Sequence, residues 1–422
     1  MNGFNLSDIT DAKLGTTTLG SIYLGSTKLW PLGTDYSKEY FTIESLADNN
    51  TITWTFTGSD PIQNVIYWSK NGTSWTSAIA STSDTPVSLA TLNKGEKMYL
   101  KGENVTYASS SSRYSHFNSD YEFNVSGNIM SLIYGDNFIG QTTLSSSYNF
   151  VGIFKSSKVY DASNLILPAT TLTKYCYRSM FSGCTSLATA PVLPATTLAD
   201  YCYSHMFSGC TSLATAPVLP ATTLADYCYS HMFYGCTSLA TAPILPATTL
   251  TNYCYIYMFE GCSSLITAPE LPATTLANGC YMSMFAATKI TAAPELPATT
   301  LADSCYRNMF YGCASLRYPP TLNATILQPR CYQHMFFGCT SLKTAPELPA
   351  TTLATYCYAY MFQNCTSLSY IKCLATNISA SNSHDWWLYN VASTGTFVKP
   401  SSMYSWPANA HGIPSGWTVV NV

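Results

Sequence analysis

The residues best suited to chemistry in this chain are sulfurs and imidazoles, and both recur at fixed intervals. Cys176, Cys202, Cys228, Cys254 and Cys280 stand 26 residues apart; Cys305 follows after 25, then Cys331 and Cys357 after 26 each. Seven of these have a second cysteine eight residues on, at Cys184, Cys210, Cys236, Cys262, Cys313, Cys339 and Cys365, whereas Cys280 has none. An even set of sixteen cysteines could be a disulfide framework. A repeat that survives the loss of one mate points instead to cysteine as a small buried hydrophobe, and a reducing compartment would keep the thiols free. Zinc would need close Cys-x-x-Cys pairs or histidines accompanying the cysteines. No such pair occurs, and only three repeats carry a nearby histidine.

Those histidines, His205, His231 and His334, share one place in the repeat, which Ser179, Tyr257, Ser283, Asn308 and Tyr360 fill elsewhere. If successive repeats stack, His205 and His231 lie about 5 Å apart, close enough to hold a metal, although surface variation explains them more simply. The preceding place varies too, through Arg178, Ser204, Ser230, Ile256, Met282, Arg307, Gln333 and Ala359. Changing exposed residues on a constant core are the layout of a recognition surface, and equally of drift on an exposed face. The candidate binding surface is therefore Arg178, His205, His231, Tyr257, Arg307, His334 and Tyr360, with Trp386 and Trp387 beyond the last repeat. Tryptophan can stack on sugar rings; the same pair could instead plug the end of a core. No catalytic residue, metal ligand or cofactor is expected. Glu270, Glu295 and Glu347 share one place in separate repeats, and neither a phosphate-binding glycine loop, H-E-x-x-H nor G-x-S-x-G occurs.

What must position these residues is the repeat itself. The unit L-P-A-T-T-L-x-x-x-C-Y-x-x-M-F-x-G-C-T-S-L-x-T-A-P-x recurs eight times from about Leu167 to Tyr370, within the 20–29-residue range of leucine-rich repeats. Cys202 and Met206, like Tyr203 and Phe207, are four apart, which predicts a short helix with an apolar face. Gly209 falls where a helix ends with φ > 0. Ser212–Pro217 and Thr222–Leu224 read as short extended pieces, with Pro217 and Pro220 at strand ends. No single coil can bury its apolar side, so stacking must build a spine of Leu, Phe, Met and Cys. Around Met284-Phe285-Ala286-Ala287-Thr288-Lys289-Ile290 one residue is missing and the second cysteine is gone, and Ile290 takes the leucine place.

The segment C-Y-x-x-M-F-x-G-C-T-S-L followed by an L-P turn resembles the BspA-like leucine-rich repeats of bacterial surface proteins, with Phe207, Cys210, Leu213 and Pro217/Pro220 matching. The 26-residue unit with Pro-Ala-Thr-Thr-Leu is similar to a subtype of gut Bacteroidetes and of the phages and prophages that infect them. The resemblance implies a leucine-rich-repeat fold and adhesion or host-surface binding, and no catalytic residues.

The flanks complete a multidomain, β-rich reading. Residues 1–36 form an N-terminal attachment element, a β-hairpin or meander. Residues 37–128 form an immunoglobulin-like β-sandwich. Residues 129–166 cap the solenoid at its N-terminal end, 167–375 make the eight coils, and 376–422 cap the other end. Within the sandwich, Ile52, Trp54 and Phe56 alternate onto one face. Val65 and Tyr67, and with them Trp75, repeat the idea around the Asn71-Gly72 turn, Lys97–Gly102 and Tyr121–Val125 are further strands, and Ser109–Ser112 reads as a flexible loop. Charged residues are only 10% of the chain and the net charge is −3, so no cationic stripe for nucleic acid is visible. Neither a secretory signal nor a run of ~20 apolar residues for membrane insertion is found. The favoured expectation is a non-enzymatic virion structural or fibre-like protein of a bacteriophage. It would meet other virion proteins through residues 1–36 and a host-surface receptor or glycan through the solenoid. A bacterial cell-surface adhesin is the alternative, and a glycan-active enzyme a third. Homo-oligomerisation, trimers included, stays open.

Overall fold

The computed structural model describes residues 35–58, 64–80, 86–404, 406–407, 409 and 411–422, and the strand backbones at 13–14, 17–18, 22–24 and 27–30. β1 (Lys13–Leu14) pairs antiparallel with β2 (Thr17–Thr18), and β3 (Ile22–Leu24) with β4 (Thr27–Trp30). The remainder of the expected attachment element up to residue 34 lies outside the described residues.

Ten strands follow: β5 (Phe41–Ser45), β6 (Asn50–Thr57), β7 (Val65–Ser69), β8 (Thr76–Ile79), β9 (Val87–Leu92), β10 (Lys97–Gly102), β11 (Ala108–Ser110), β12 (Arg113–Ser119), β13 (Phe123–Asn128) and β14 (Val159–Ile166). They form a six-stranded sheet, β14-β13-β5-β10-β7-β8, and a four-stranded sheet, β11-β12-β6-β9. Period-two alternation puts Ile52, Trp54 and Phe56 fully inside, and Phe41 of one sheet meets Phe117 of the other at 5.7 Å. The hairpin around Asn71-Gly72 forms, but its faces are the reverse of the expected ones. Ile66 is buried while Tyr67 faces out, because a one-residue shift of register exchanges the two faces of a strand. The serine run expected as a flexible loop is instead β11 and its turn into β12, with Ala108 opposite Tyr114 and Ser110 opposite Arg113.

β14 is where the sheets become the solenoid. It pairs parallel with β13 on one side, and on the other Asp161 bridges Thr189 of the first full repeat. The core is equally continuous. Phe117 meets Phe154 at 6.1 Å, and Phe154 meets Phe181 at 5.2 Å. One apolar cluster runs from Phe41 to Trp417. Along it Phe181, Phe207, Phe233, Phe259, Phe285, Phe310, Phe336 and Phe362 stand in single file, with ring centroids 5.5–5.9 Å apart. All are fully buried, each contributing about 1.5–3 kcal/mol of apolar transfer.

The expected helix in each coil is absent. In its place the backbone makes overlapping turns in which every fourth residue has positive φ: Tyr201 (58°), His205 (59°) and Gly209 (75°) in one coil, Tyr227, His231 and Gly235 in the next. Amides alternate in destination. Cys202, Ser204, Met206 and Ser208 donate three residues back within the coil, whereas Tyr203, His205, Phe207 and Gly209 donate to Cys228, Ser230, Met232 and Tyr234 of the next coil. Every peptide group of the segment thus finds a partner, half of them across the coil boundary, so the turn ladder cannot form in an isolated coil. A four-residue conformational repeat aligns Cys202 with Met206 and Tyr203 with Phe207 as a helix would, which is why spacing alone could not separate the two.

The positive-φ triplet also recurs at Tyr148/Gly152/Ser156 and at Asn382/Trp386/Asn390. The turn ladder therefore extends one level beyond the eight repeats at each end, into both segments expected as caps. Phe150 and Phe154 stack on Tyr177 and Phe181 at the first end. At the other, three parallel strands, β15 (Tyr370–Lys372), β16 (Gly395–Lys399) and β17 (Trp417–Asn421), finish the ladder. Between coils the extended pieces are reduced to single parallel bridges, such as Thr215 to Thr241 and Thr197 to Thr223.

All sixteen cysteines are buried free thiols. The second cysteine of each pair donates to a phenylalanine carbonyl one coil back: Cys210 to Phe181 O at 3.1 Å, Cys236 to Phe207 O at 3.0 Å. In the short coil Thr288 takes that place, donating to Phe285 O at 2.7 Å, and Ile290 is fully buried in the leucine place.

Candidate functional site

Positive φ excludes β-branched side chains and favours glycine, asparagine and other residues that tolerate the left-handed region. That restricts what the exposed turn face can present. Its central column runs Ser179, His205, His231, Tyr257, Ser283, Asn308, His334, Tyr360 and Trp386, all at positive φ and none β-branched. The variation seen in the sequence is therefore variation within a backbone constraint. Rings that do occupy the column stack: His205 on His231 at 4.2 Å, His231 on Tyr257 at 4.6 Å, and His334 on Tyr360 at 4.6 Å. All are partly exposed.

The preceding column is different. Ser204, Ser230, Ile256, Gln333 and Ala359 are buried, so this place is not an exposed partner of the first. Only its larger members emerge, and Arg178 and Arg307 are partly exposed. Ser204 and Ser230 turn back to the imidazoles, with Oγ 2.9 Å from His205 Nδ1 and 2.7 Å from His231 Nδ1.

A third column carries the most continuous aromatic surface, and sequence reasoning missed it. Tyr148, Tyr175, Tyr201, Tyr227 and Tyr253 stack face to face at 4.5–4.8 Å, each partly exposed. The Arg178 guanidinium sits over Tyr175 and Tyr201 at 5.7 and 5.6 Å. The signal was a tyrosine immediately before the first cysteine in four consecutive repeats. Gly279 ends the column, since a Cβ there would lie 2.3 Å from the Tyr253 ring.

Trp386 and Trp387 part company. Trp386 is 37% exposed and packs edge-on against Tyr389. Trp387, expected on the binding surface, is 0% exposed. It stacks between Tyr358 at 6.2 Å and Trp406 at 5.1 Å, and donates from Nε1 to Gly412 O at 3.1 Å. It fills the end of the spine, in the place that methionine holds in the repeats, and can touch no ligand.

A family model described as a BspA type leucine rich repeat region matches in six copies, over residues 133–266, 199–317 and 274–410. The chain belongs to the BspA-type leucine-rich repeat family. No curated protein and no solved structure matches it. Repeats of this family are typically non-catalytic binding or scaffold modules, and the BspA-type coils here gather no group of three or more metal-ligating side chains among the described residues. No helix among those residues is long and apolar enough to cross a membrane.

Burial in the BspA-type turn face lowers the imidazole pKa values. Desolvation, then the charges of His231 and Arg178, take His205 to about 3; desolvation and Arg178 take His231 to about 4; desolvation and Arg307 take His334 to about 4. The unfolded chain binds these protons near pH 6.5, so the stabilisation from neutral rings is complete above pH 6.5 and is lost as pH falls toward 4. Imidazole titration followed by NMR should show no midpoint near 6.5 for His205 and His231, and melting temperature should fall from pH 6.5 to 4. Ordinary midpoints in the folded protein would show that the stacked pair is solvated.

Proposed function

We propose that this chain is a non-enzymatic display protein, a bacteriophage virion structural or fibre-like protein of the Bacteroidetes-phage subtype, whose turn face binds a host-surface receptor or glycan. One observation carries the reading: adjacent columns of stacked, partly exposed rings on the turn ladder, Tyr148–Tyr253 beside His205–Tyr257. Stacked coils hold these rings at fixed spacing without further ordering cost on binding, and flat aromatic surface with polar edges suits both sugar and protein contacts. In this reading residues 1–36 attach to other virion proteins, an immunoglobulin-like sandwich spaces, and eight capped repeats present the surface. The protein would be made in the host cytoplasm and carried on the particle.

A bacterial cell-surface adhesin uses the same face, and composition of purified particles separates the two. Mass spectrometry of gradient-purified virions should find the chain at structural-protein abundance. Its absence from particles, with recovery from washed cell surfaces, would replace the virion reading with the adhesin.

A further inference from the structure

Away from the turn ladder, among the described residues, a broad groove spans three successive coils. It has a volume of about 700 Å³ and is lined by Arg317, Tyr318, Pro319, Ser341, Lys343, Thr344 and Ser367. The ladder opens there. Arg317 N–H donates to Thr291 O on one side, and Ser369 N–H to Lys343 O on the other, but no backbone bond or bridge joins Tyr318 to Thr344.

Arg317 and Lys343 follow the conserved-place leucines Leu316 and Leu342, where the earlier coils have Ala188, Ala214 and Ala240. Two like charges thus occupy equivalent places one coil apart, about 5 Å along the stack. Both are exposed, and neither is in an ion pair; the nearby Glu347 is taken by Lys372 at 2.9 Å. No acidic side chain lines the groove. Two neighbouring cations without an acidic partner repel one another, and an anion placed between them would relieve this. Beside it stand the hydroxyls of Ser341, Thr344 and Ser367 and the Tyr318 ring, 68% exposed.

We propose that this groove binds an anionic saccharide, with Arg317 and Lys343 meeting its carboxylate or sulfate, Tyr318 stacking on a sugar face, and the hydroxyls bonding ring oxygens. The aromatic platform and hydroxyls favour a sugar over an acidic peptide. Its size admits a few sugar units. The turn ladder contributes no residue to the groove, so this site stands or falls independently of the ring columns.

Calorimetry of the full chain against hexagalacturonate, a sulfated hexasaccharide, maltohexaose and polyglutamate tests it. Binding is expected for at least one of the two anionic sugars, weakening as salt rises, with none for maltohexaose. Preference for the carboxylated or the sulfated sugar names the anion. Arg317→Ala and Lys343→Ala should each weaken binding about tenfold or more, and Tyr318→Ala should weaken it at unchanged salt dependence. Alanine already stands at the equivalent place in three coils, so both charge variants should fold, and circular dichroism checks this. The proposal is overturned if neither anionic sugar binds, if maltohexaose or polyglutamate binds as well, or if both charge variants bind like the wild type.

Discussion

Raising the pH from 9 to 11 should unfold this protein cooperatively. Thiols in the unfolded chain titrate near 9, and burial pushes Cys202, Cys236 and Cys305 up to about 12 and Cys313 up to about 11. Desolvation is the leading cause at each, and the thiols of Cys210 and Cys228 are driven further by neighbouring cysteines in the same column. A folded-state pKa above the unfolded one means that stability is fully present below pH 9 and drains away as pH climbs toward 12, because the unfolded chain releases its protons first. One pH unit is worth about 1.4 kcal/mol per fully shifted group. Sixteen buried thiols together outweigh the ~5–15 kcal/mol that holds a typical domain. Equilibrium circular dichroism against pH should show the midpoint within that window, with thiol reagents unreactive below it. Replacing Cys210 and Cys236 with alanine should move the midpoint upward. A native spectrum after equilibration at pH 11 would show that the thiols do not sit in a dry column.

Truncating Trp387 to alanine should cost about 3–5 kcal/mol, the range for deleting a large buried aromatic side chain. It is sealed by Trp406, Tyr358 and an edge-on Phe397 at 5.9 Å, and its removal opens the end of the spine. The last coil then loses its neighbour on one side, so hydrogen exchange should speed up from residue 382 onward before it changes near Phe181. Trp386→Ala, with its ring at the surface, should shift stability by less than about 1 kcal/mol. Equal losses from the two variants, by urea denaturation, would mean that the pair acts as a unit and that Trp387 is not a plug.

The two tryptophans show where the sequence was legible and where it was not. The 26-residue clock fixed the stacking, the aligned phenylalanines and the place of Ile290, because each depends only on which residues repeat. The turn ladder was hidden because pairs four apart over two short turns fit a 3.6-residue helix as well as a four-residue run of turns. The discriminating sign was present: Tyr201 and His205, eight and four residues before Gly209, avoid β-branching at each level. The additional coils were hidden because Phe150 and Phe154 at one end, and Trp387 and Leu388 at the other, keep the packing while dropping the cysteines. Among the site residues, His205, His231, Tyr257, His334 and Tyr360 were placed in one column correctly. The tyrosine column beside them was overlooked because four identical residues in consecutive repeats, Tyr175 to Tyr253, read as structural. In the preceding column Ser204, Ser230, Ile256, Gln333 and Ala359 are buried, so much of its variation lies inside the molecule.

Stacking in strict register is the claim on which the spine, the ring columns and the groove all rest, and distances between spin labels measure it. Thr185, Ala314, Thr340 and Thr366 occupy one exposed column, and the sixteen native thiols are buried, so introduced cysteines at these places can be labelled selectively. Pairing Thr185→Cys with Ala314→Cys, Thr340→Cys or Thr366→Cys should give separations of roughly 24, 29 and 34 Å, at about 4.8 Å per coil. Even increments near 5 Å support a single continuous ladder; separations that fail to grow from one pair to the next, or broad distributions without a dominant distance, contradict it.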